Sequence, residues 1–203
     1  MAGIDIGTVA AAVARAKAAM ARLEQDLNEA DSRLGDGDTG SMLARVIHRM
    51  ADTDLGPAAD VGAAFGLLAR ATLSATGSSL GTLVATGLMD LAKRCKGRND
   101  LDWSELSVLI AGARDAMIAR GGAALGDKTV LDGLDALARA TAGVTTGEAA
   151  AAAAVEAADG ALDQFRGLPC RIGRARLFPE ASAGADDPGM LALARLVAAA
   201  AGR

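Results

Sequence analysis

The stretch Asp31-Ser32-Arg33-Leu34-Gly35-Asp36-Gly37-Asp38-Thr39-Gly40 separates two helical patterns, and its reading decides how the chain is built. Before it, Val9, Val13, Ala16, Met20, Leu23 and Leu27 recur at alternating steps of four and three, which places them on one helix face. Gly35 and Gly37 let the backbone turn sharply, and helical patterning then resumes. The alternation continues along the chain. Val61, Phe65, Leu68 and Thr72 form one face, Leu80, Leu83, Val84, Leu88 and Leu91 the next, and Trp103, Leu106, Ile110, Ala113 and Met117 another. No run of polar/apolar alternation rich in β-branched residues interrupts them, so the chain reads as all-α.

Helix starts are marked by side chains that can accept from free backbone N–H groups. Asp102 with Glu105, Thr129 with Asp132 and Thr145 with Glu148 have capping-box spacing. Asp187-Pro188 sets an N-cap before a proline at the first helical position. Together these signals predict eight helices, at about 6–30, 40–51, 58–74, 79–96, 104–120, 129–141, 146–164 and 188–201, in a single domain covering 1–203. Short connections make consecutive helices antiparallel, so every even-numbered helix begins at the same end. The unusual sequences stand at those four starts: Asp36-Gly37-Asp38-Thr39-Gly40, Thr76-Gly77-Ser78-Ser79, Gly126-Asp127-Lys128-Thr129 and Asp187-Pro188-Gly189. Each alone is ordinary capping chemistry. Four at one end present converging N–H groups and partial positive charge, which suits an anion.

Asp31, Asp36 and Asp38 are the sharpest chemical signal. Carboxylates this close repel one another unless cations or protons neutralise them. Oxygen-only ligands suit magnesium shared with substrate phosphates. A calcium loop fits less well, because the EF-hand spacing and its closing Glu are missing; a solvated acidic turn is the structural alternative. Gly77-Ser78-Ser79 offers backbone and hydroxyls to phosphate but lacks the Gly-Lys-Ser/Thr ending of a P-loop. Lys128 could face phosphate or solvent. His48, the one histidine, has no nucleophile pattern around it and reads as a helix-face residue. The segment from Arg166 to Asp186 carries Arg171, Arg174 and Arg176 without apolar periodicity, and reads as a loosely packed lid or a basic loop.

Composition excludes several classes. The 203 residues carry a net charge of -4, with three Phe, one Trp and no Tyr. Nucleic acid would need a basic face, and single strands would need an aromatic platform. No apolar run approaches the roughly 20 residues of a membrane span. Cys95 and Cys170 stand alone, without metal or redox spacing. With no basic start followed by an apolar run, the reading is a cytoplasmic protein.

Taken together, Leu27-Asn28 through Asp31, Gly35-Asp36-Gly37-Asp38-Thr39-Gly40, Gly77-Ser78-Ser79, Gly126-Asp127-Lys128-Thr129, Gly173-Arg174-Ala175 and Asp187-Pro188-Gly189 resemble the L subunit of bacterial dihydroxyacetone kinase, in family order and over nearly the whole chain. The resemblance implies an eight-helix antiparallel up-and-down barrel with the nucleotide site at one end. It implies two Mg2+ ions between Asp31, Asp36 and Asp38 and the phosphates of ADP or ATP. Nucleotide positions would be Thr39, Gly40, Gly77, Ser78, Ser79, Gly121, Val130, Arg174, Asp187, Pro188 and Gly189, with Arg174 also in the catalytic role. The implied partner is a K-type subunit that binds the ketose, with ATP or a phosphotransferase-system protein as phosphodonor; a homodimer is left open. The chain departs from the family pattern at Ser41-Met42-Leu43 after Gly40, at Leu80 after the serines, and at Leu177-Phe178-Pro179-Glu180. Two other readings stay open: the nucleotide domain of bacterial fatty-acid kinases, whose turn also reads Asp-Gly-Asp-Thr-Gly, and a nucleotide-binding regulatory module without turnover.

Overall fold

The computed structural model describes residues 3–203. Eight long helices carry the fold: α1 (Ile6–Ser32), α2 (Thr39–Ala51), α3 (Val61–Ala75), α4 (Ser79–Arg94), α5 (Leu106–Gly121), α6 (Val130–Ala140), α7 (Gly147–Arg166) and, after the one-turn helix α8 (Pro179–Ser182), α9 (Pro188–Ala200). Two 3-10 turns, Trp103–Glu105 and Arg174–Leu177, complete it. Among the described residues there is no strand; a single antiparallel bridge joins Ile4 to Leu101. Each long helix packs on the next, and α9 closes the ring against both α7 and α1. This is the expected all-α, eight-helix arrangement. No described helix is long and apolar enough to cross a membrane.

The helices begin where side chains replace missing backbone partners. Asp5, Asp60, Ser78, Thr146 and Asp187 each accept from the N–H three residues on. Asp102 with Glu105 and Thr129 with Asp132 form the expected capping boxes. Two expectations shift. The third helix starts at Val61 rather than at 58, because Asp60 Oδ1 accepts from Ala63 N–H at 2.6 Å while its Oδ2 takes the Gly97 N–H at 2.8 Å. The seventh is capped by Thr146, not Thr145, through Ala149 N–H at 3.2 Å.

Small residues set the spacing between helices. Of the face expected on α1, Val9, Met20 and Leu27 are buried. On α4, however, the buried residues are Gly81, Ala85 and Gly87 rather than the leucines. A Cβ at Gly87 would lie 3.2 Å from Met117 Sδ, and one at Gly62 would lie 2.6 Å from the Ala92 carbonyl. Close approach of this kind lets a chain poor in aromatics fill its interior. The ring encloses an apolar cavity of 650 Å3 lined by Val9, Val13, Phe65, Leu68, Trp103 and Ile110 among others. It opens among the starts of α1, α3, α5 and α7 and the ends of α2 and α9, away from Asp31 and the start of α2.

The segment after α7 is not the loosely packed loop expected. It contains the 3-10 turn and α8, and its base is tied to the body. Arg171 N–H donates to Asp127 O at 3.1 Å, Gly184 N–H to Arg166 O at 2.7 Å, and Cys170 N–H to Ser182 Oγ at 2.9 Å. Arg166 also pairs with Asp186 at 2.8 Å.

Asp187, which ends this segment, caps α9 by accepting from Met190 N–H at 2.8 Å. Burial pushes its carboxyl from 3.8 up to about 6, against the backbone N–H bonds of Met190 and Gly189 and the charge of Lys128. A folded-state value above the unfolded one means that the folded protein holds the proton more tightly. Its favourable effect is complete below pH 3.8 and is lost as pH rises to about 6. Asn caps as well as Asp but carries no charge. Asp187→Asn is therefore expected to raise stability near pH 7 by about 1–3 kcal/mol and to change it little at pH 4. Denaturant titrations of both proteins in chelator, without nucleotide, measure the difference; equal stabilities at pH 7 contradict it.

Candidate functional site

The site begins at the end of α1. Asp31, on the last turn of that helix and only 9% exposed, turns its Oδ2 to the start of α2. There it accepts from the N–H of Asp38 at 3.0 Å and of Thr39 at 3.3 Å. Asp31 thus performs the capping that Asp38, the formal N-cap, does not. Asp31 O also accepts from Gly35 N–H at 2.6 Å, and a Cβ at Gly35 would collide with Asp31 Oδ1. Gly37 takes φ +74, the left-handed region that glycine enters without strain. The turn therefore needs both glycines, one for room and one for its backbone angle.

Its product is a cluster in which Asp31, Asp36 and Asp38 each offer a carboxylate oxygen within 4.8 Å of the other two. Asp36 and Asp38 are exposed and Asp31 is nearly buried. Arg174 reaches across from the 3-10 turn and pairs with Asp36. That hydrogen-bonded guanidinium holds the Asp36 carboxyl below its ordinary value. The donor set is all oxygen and doubly open to solvent, which fits a hard cation that keeps waters and shares phosphate oxygens.

Around the cluster lies a cleft of 570 Å3. Asp31, Asp36, Asp38, Thr39, Gly77, Ser78, Ser79, Arg174, Asp187 and Pro188 line it. A second cleft of 540 Å3 adjoins it, sharing Gly77, Ser78, Ser79, Ile172 and Gly173, and reaches Gly121 and Val130. The starts of α2, α4, α6 and α9 do converge at one end, as the helix count requires. The arrangement separates a charged compartment over the aspartates from a more apolar one walled by Leu83, Val130, Leu131 and Ile172.

Not every expected residue faces these clefts. Gly40 is buried where α2 crosses α1, and a Cβ there would collide with the Glu24 carbonyl; it is a packing glycine and lines neither cleft. Gly189 lines neither, being set between Asp187 and Val130. Ser78 Oγ is already accepting from Gly81 N–H at 3.0 Å, which leaves Ser79 as the exposed hydroxyl of the pair. Leu80 does line the charged cleft, half-buried against the core cluster that includes Met42 and Ile47, and Gly81 gives room to Thr76. His48 is exposed on α2, its Nδ1 2.7 Å from Ala44 O, as a helix-face residue would be. Lys128 is neither at the surface nor in a cleft: it is 1% exposed and faces backbone carbonyls. Sequence reasoning missed Arg45, which lines the charged cleft. The signal was available, since Thr39, Met42 and Arg45 follow one another at steps of three on one face of α2.

Comparison with known proteins agrees with this fold. The chain is 33% identical over 183 residues to a D-erythrulose kinase of Mycolicibacterium smegmatis, covering 87% of this chain and 32% of that protein. It is 30% identical over the same length to the L-erythrulose 1-kinase of that organism, with the same coverage. The chain thus spans about a third of the curated relatives that it matches. The crystal structure of the dihydroxyacetone kinase of C. freundii in its native form superposes with a TM-score of 0.75 at 25% identity, over 100% of this chain and 35% of that one. The same enzyme in complex with AMP-PNP and Mg2+ gives 0.74 at 26% identity, again over 100% of this chain and 35% of that one. The model of the DAK2 domain matches residues 33–202, beginning two residues after Asp31. The chain belongs to the DAK2 domain family, to which the helical ring and the aspartate turn had pointed.

Proposed function

We propose that this chain binds a magnesium–adenine nucleotide and forms the phosphoryl-donor half of a kinase acting on a small ketose. The substrate would be dihydroxyacetone or a relative such as erythrulose, held by a K-type partner domain or subunit. The observation that carries this reading is the set of three carboxylates within 4.8 Å of one another, at one end of the ring where four helix starts meet. The erythrulose kinases and the dihydroxyacetone kinase bound to AMP-PNP and Mg2+ support it as relatives. ATP or a phosphotransferase-system protein would supply the phosphoryl group, and the chain would act in the cytoplasm with both cysteines as free, buried thiols.

Asp31, Asp36 and Asp38 would hold two magnesium ions. When bound, the ions would supply charge neutralisation across the nucleotide phosphates. The chain's own contribution is positioning. The start of α4 directs backbone N–H groups and the Ser79 hydroxyl at phosphate oxygens, whereas the first N–H groups of α2 are taken by Asp31 and Asn28. Val130, Leu83 and Gly121 wall the adjoining cleft, which would take the base. Arg174 sits between the two roles. Paired with Asp36, it neutralises part of the carboxylate cluster; released from it, the guanidinium can pair with transferring phosphate.

The purified chain alone should not phosphorylate dihydroxyacetone or erythrulose from ATP, and adding a ketose-binding K-type partner should restore transfer. In that mixture Asp38→Asn should abolish transfer while its melting temperature holds or rises, since one repelling charge is removed. A coupled ADP-release assay reads this, and robust ketose phosphorylation by the chain alone sinks the two-part reading. Arg174→Ala should weaken magnesium-ADP binding by about tenfold, the range of a charged hydrogen bond. It should leave binding of Mn2+ alone equal or tighter, because Asp36 loses a competing cation. Calorimetry for the nucleotide and electron paramagnetic resonance for Mn2+ separate the two; weaker Mn2+ binding in the variant contradicts this role.

A further inference from the structure

Lys128 is the one charged side chain among the fully buried residues described, at 1% exposed. It lines neither cleft. Its ammonium donates to three backbone carbonyls: Leu168 O at 2.7 Å, Ser182 O at 2.8 Å and Arg166 O at 3.1 Å. Lys128 also occupies φ +62, a left-handed conformation that costs a non-glycine residue energy. Burying an ammonium is costly unless each of its donors is used, and an apolar side chain of that length would fill the space without the penalty. Here all three ammonium donors are used, each on a backbone carbonyl. Arg166 and Leu168 stand where the chain leaves α7, and Ser182 stands where it returns from α8.

From this geometry we infer that Lys128 is a positioning residue: it clasps both stems of the 167–185 segment so that the tip delivers Arg174 over the aspartate cluster. The inference rests on the nucleotide reading above. The neighbouring bonds Arg171 N–H to Asp127 O, Cys170 N–H to Ser182 Oγ and Gly184 N–H to Arg166 O complete the clasp. Beyond it only the tip projects. Ile172, Gly173, Arg174 and Ala175 line the charged cleft, and Leu177 and Phe178 are exposed beside them. Gly173, at φ +71, is where the tip departs from the clasped stem. The segment is thus a pinned base bearing an arm whose Arg174 reaches Asp36.

The test compares wild type, Lys128→Met, Arg174→Ala and the double variant for magnesium-ADP binding and for Mn2+ alone. Lys128→Met should raise the Kd for magnesium-ADP by about tenfold, with Mn2+ alone bound equally or more tightly. In the Arg174→Ala background it should have little further effect, because both act through one guanidinium. Wild-type magnesium-ADP affinity in Lys128→Met overturns the proposal. So does an equal loss of Mn2+ and ADP binding, or full additivity with Arg174→Ala. If the wild-type chain binds no ADP with magnesium present, the nucleotide reading fails and this proposal with it. Should Lys128→Met not fold, hydrogen exchange on the wild-type chain without nucleotide decides. Protected amides at Cys170, Arg171 and Gly184, with fast exchange at 173–176 that slows on adding magnesium-ADP, support the clasp; uniformly fast exchange from 167 to 185 overturns it.

Discussion

Everything at the charged end of the ring depends on one carboxylate, that of Asp31. Its Oδ2 accepts from the first N–H groups of α2 while its backbone carbonyl closes the Gly35 turn. A buried acid at the end of one helix therefore caps the start of the next, where the free N–H groups carry partial positive charge. The short turn between has no freedom to place Asp36 and Asp38 elsewhere, and three carboxylate oxygens come within 4.8 Å. The repulsion is contained rather than relieved: Asp31 spends its charge on the helix start, and Arg174 comes across the cleft to Asp36. A site of this kind is prepared for added positive charge.

Closure of the ring extends this local arrangement to the other helix starts. With α9 packed on both α1 and α7, the starts of α2, α4, α6 and α9 cannot diverge. The spacing is set by glycine and alanine at the crossings. Gly40 against Glu24 and Gly62 against Ala92 each bring backbone where a side chain would not fit. Some glycines of the conspicuous motifs thus serve the packing that holds the clefts open and do not touch the clefts themselves.

That division marks where the sequence was legible. Apolar periodicity and helix-start signals together located all eight long helices, although on α4 the buried face is Gly81, Ala85 and Gly87 rather than the periodic leucines, and the capping residues of α6 and α9 were readable as spacing. The convergence of four helix starts followed from counting antiparallel helices. Other features depend on contacts distant in sequence and left no local pattern. Lys128 is bonded to carbonyls 38, 40 and 54 residues away, so its neighbours in the chain suggested a surface or phosphate role. The 166–186 segment lacks periodicity because its base is held by hydrogen bonds to that lysine and to Asp127 rather than by an apolar face. Gly40 sat inside a motif whose Asp36, Asp38 and Thr39 line the cleft, and only the α1–α2 crossing distinguishes it.

In the function proposed above, Asp31, Asp36 and Asp38 form one metal site coupled to Arg174. Crystals of the chain grown with manganese and ADP, measured for anomalous scattering at the manganese edge, test it directly. The account predicts peaks at coordinating distance from carboxylate oxygens of all three aspartates and from the nucleotide phosphates, with Arg174 moved off Asp36. Nucleotide bound in the clefts with no peak at the aspartates, or with manganese elsewhere and the Arg174–Asp36 pair intact, would contradict it.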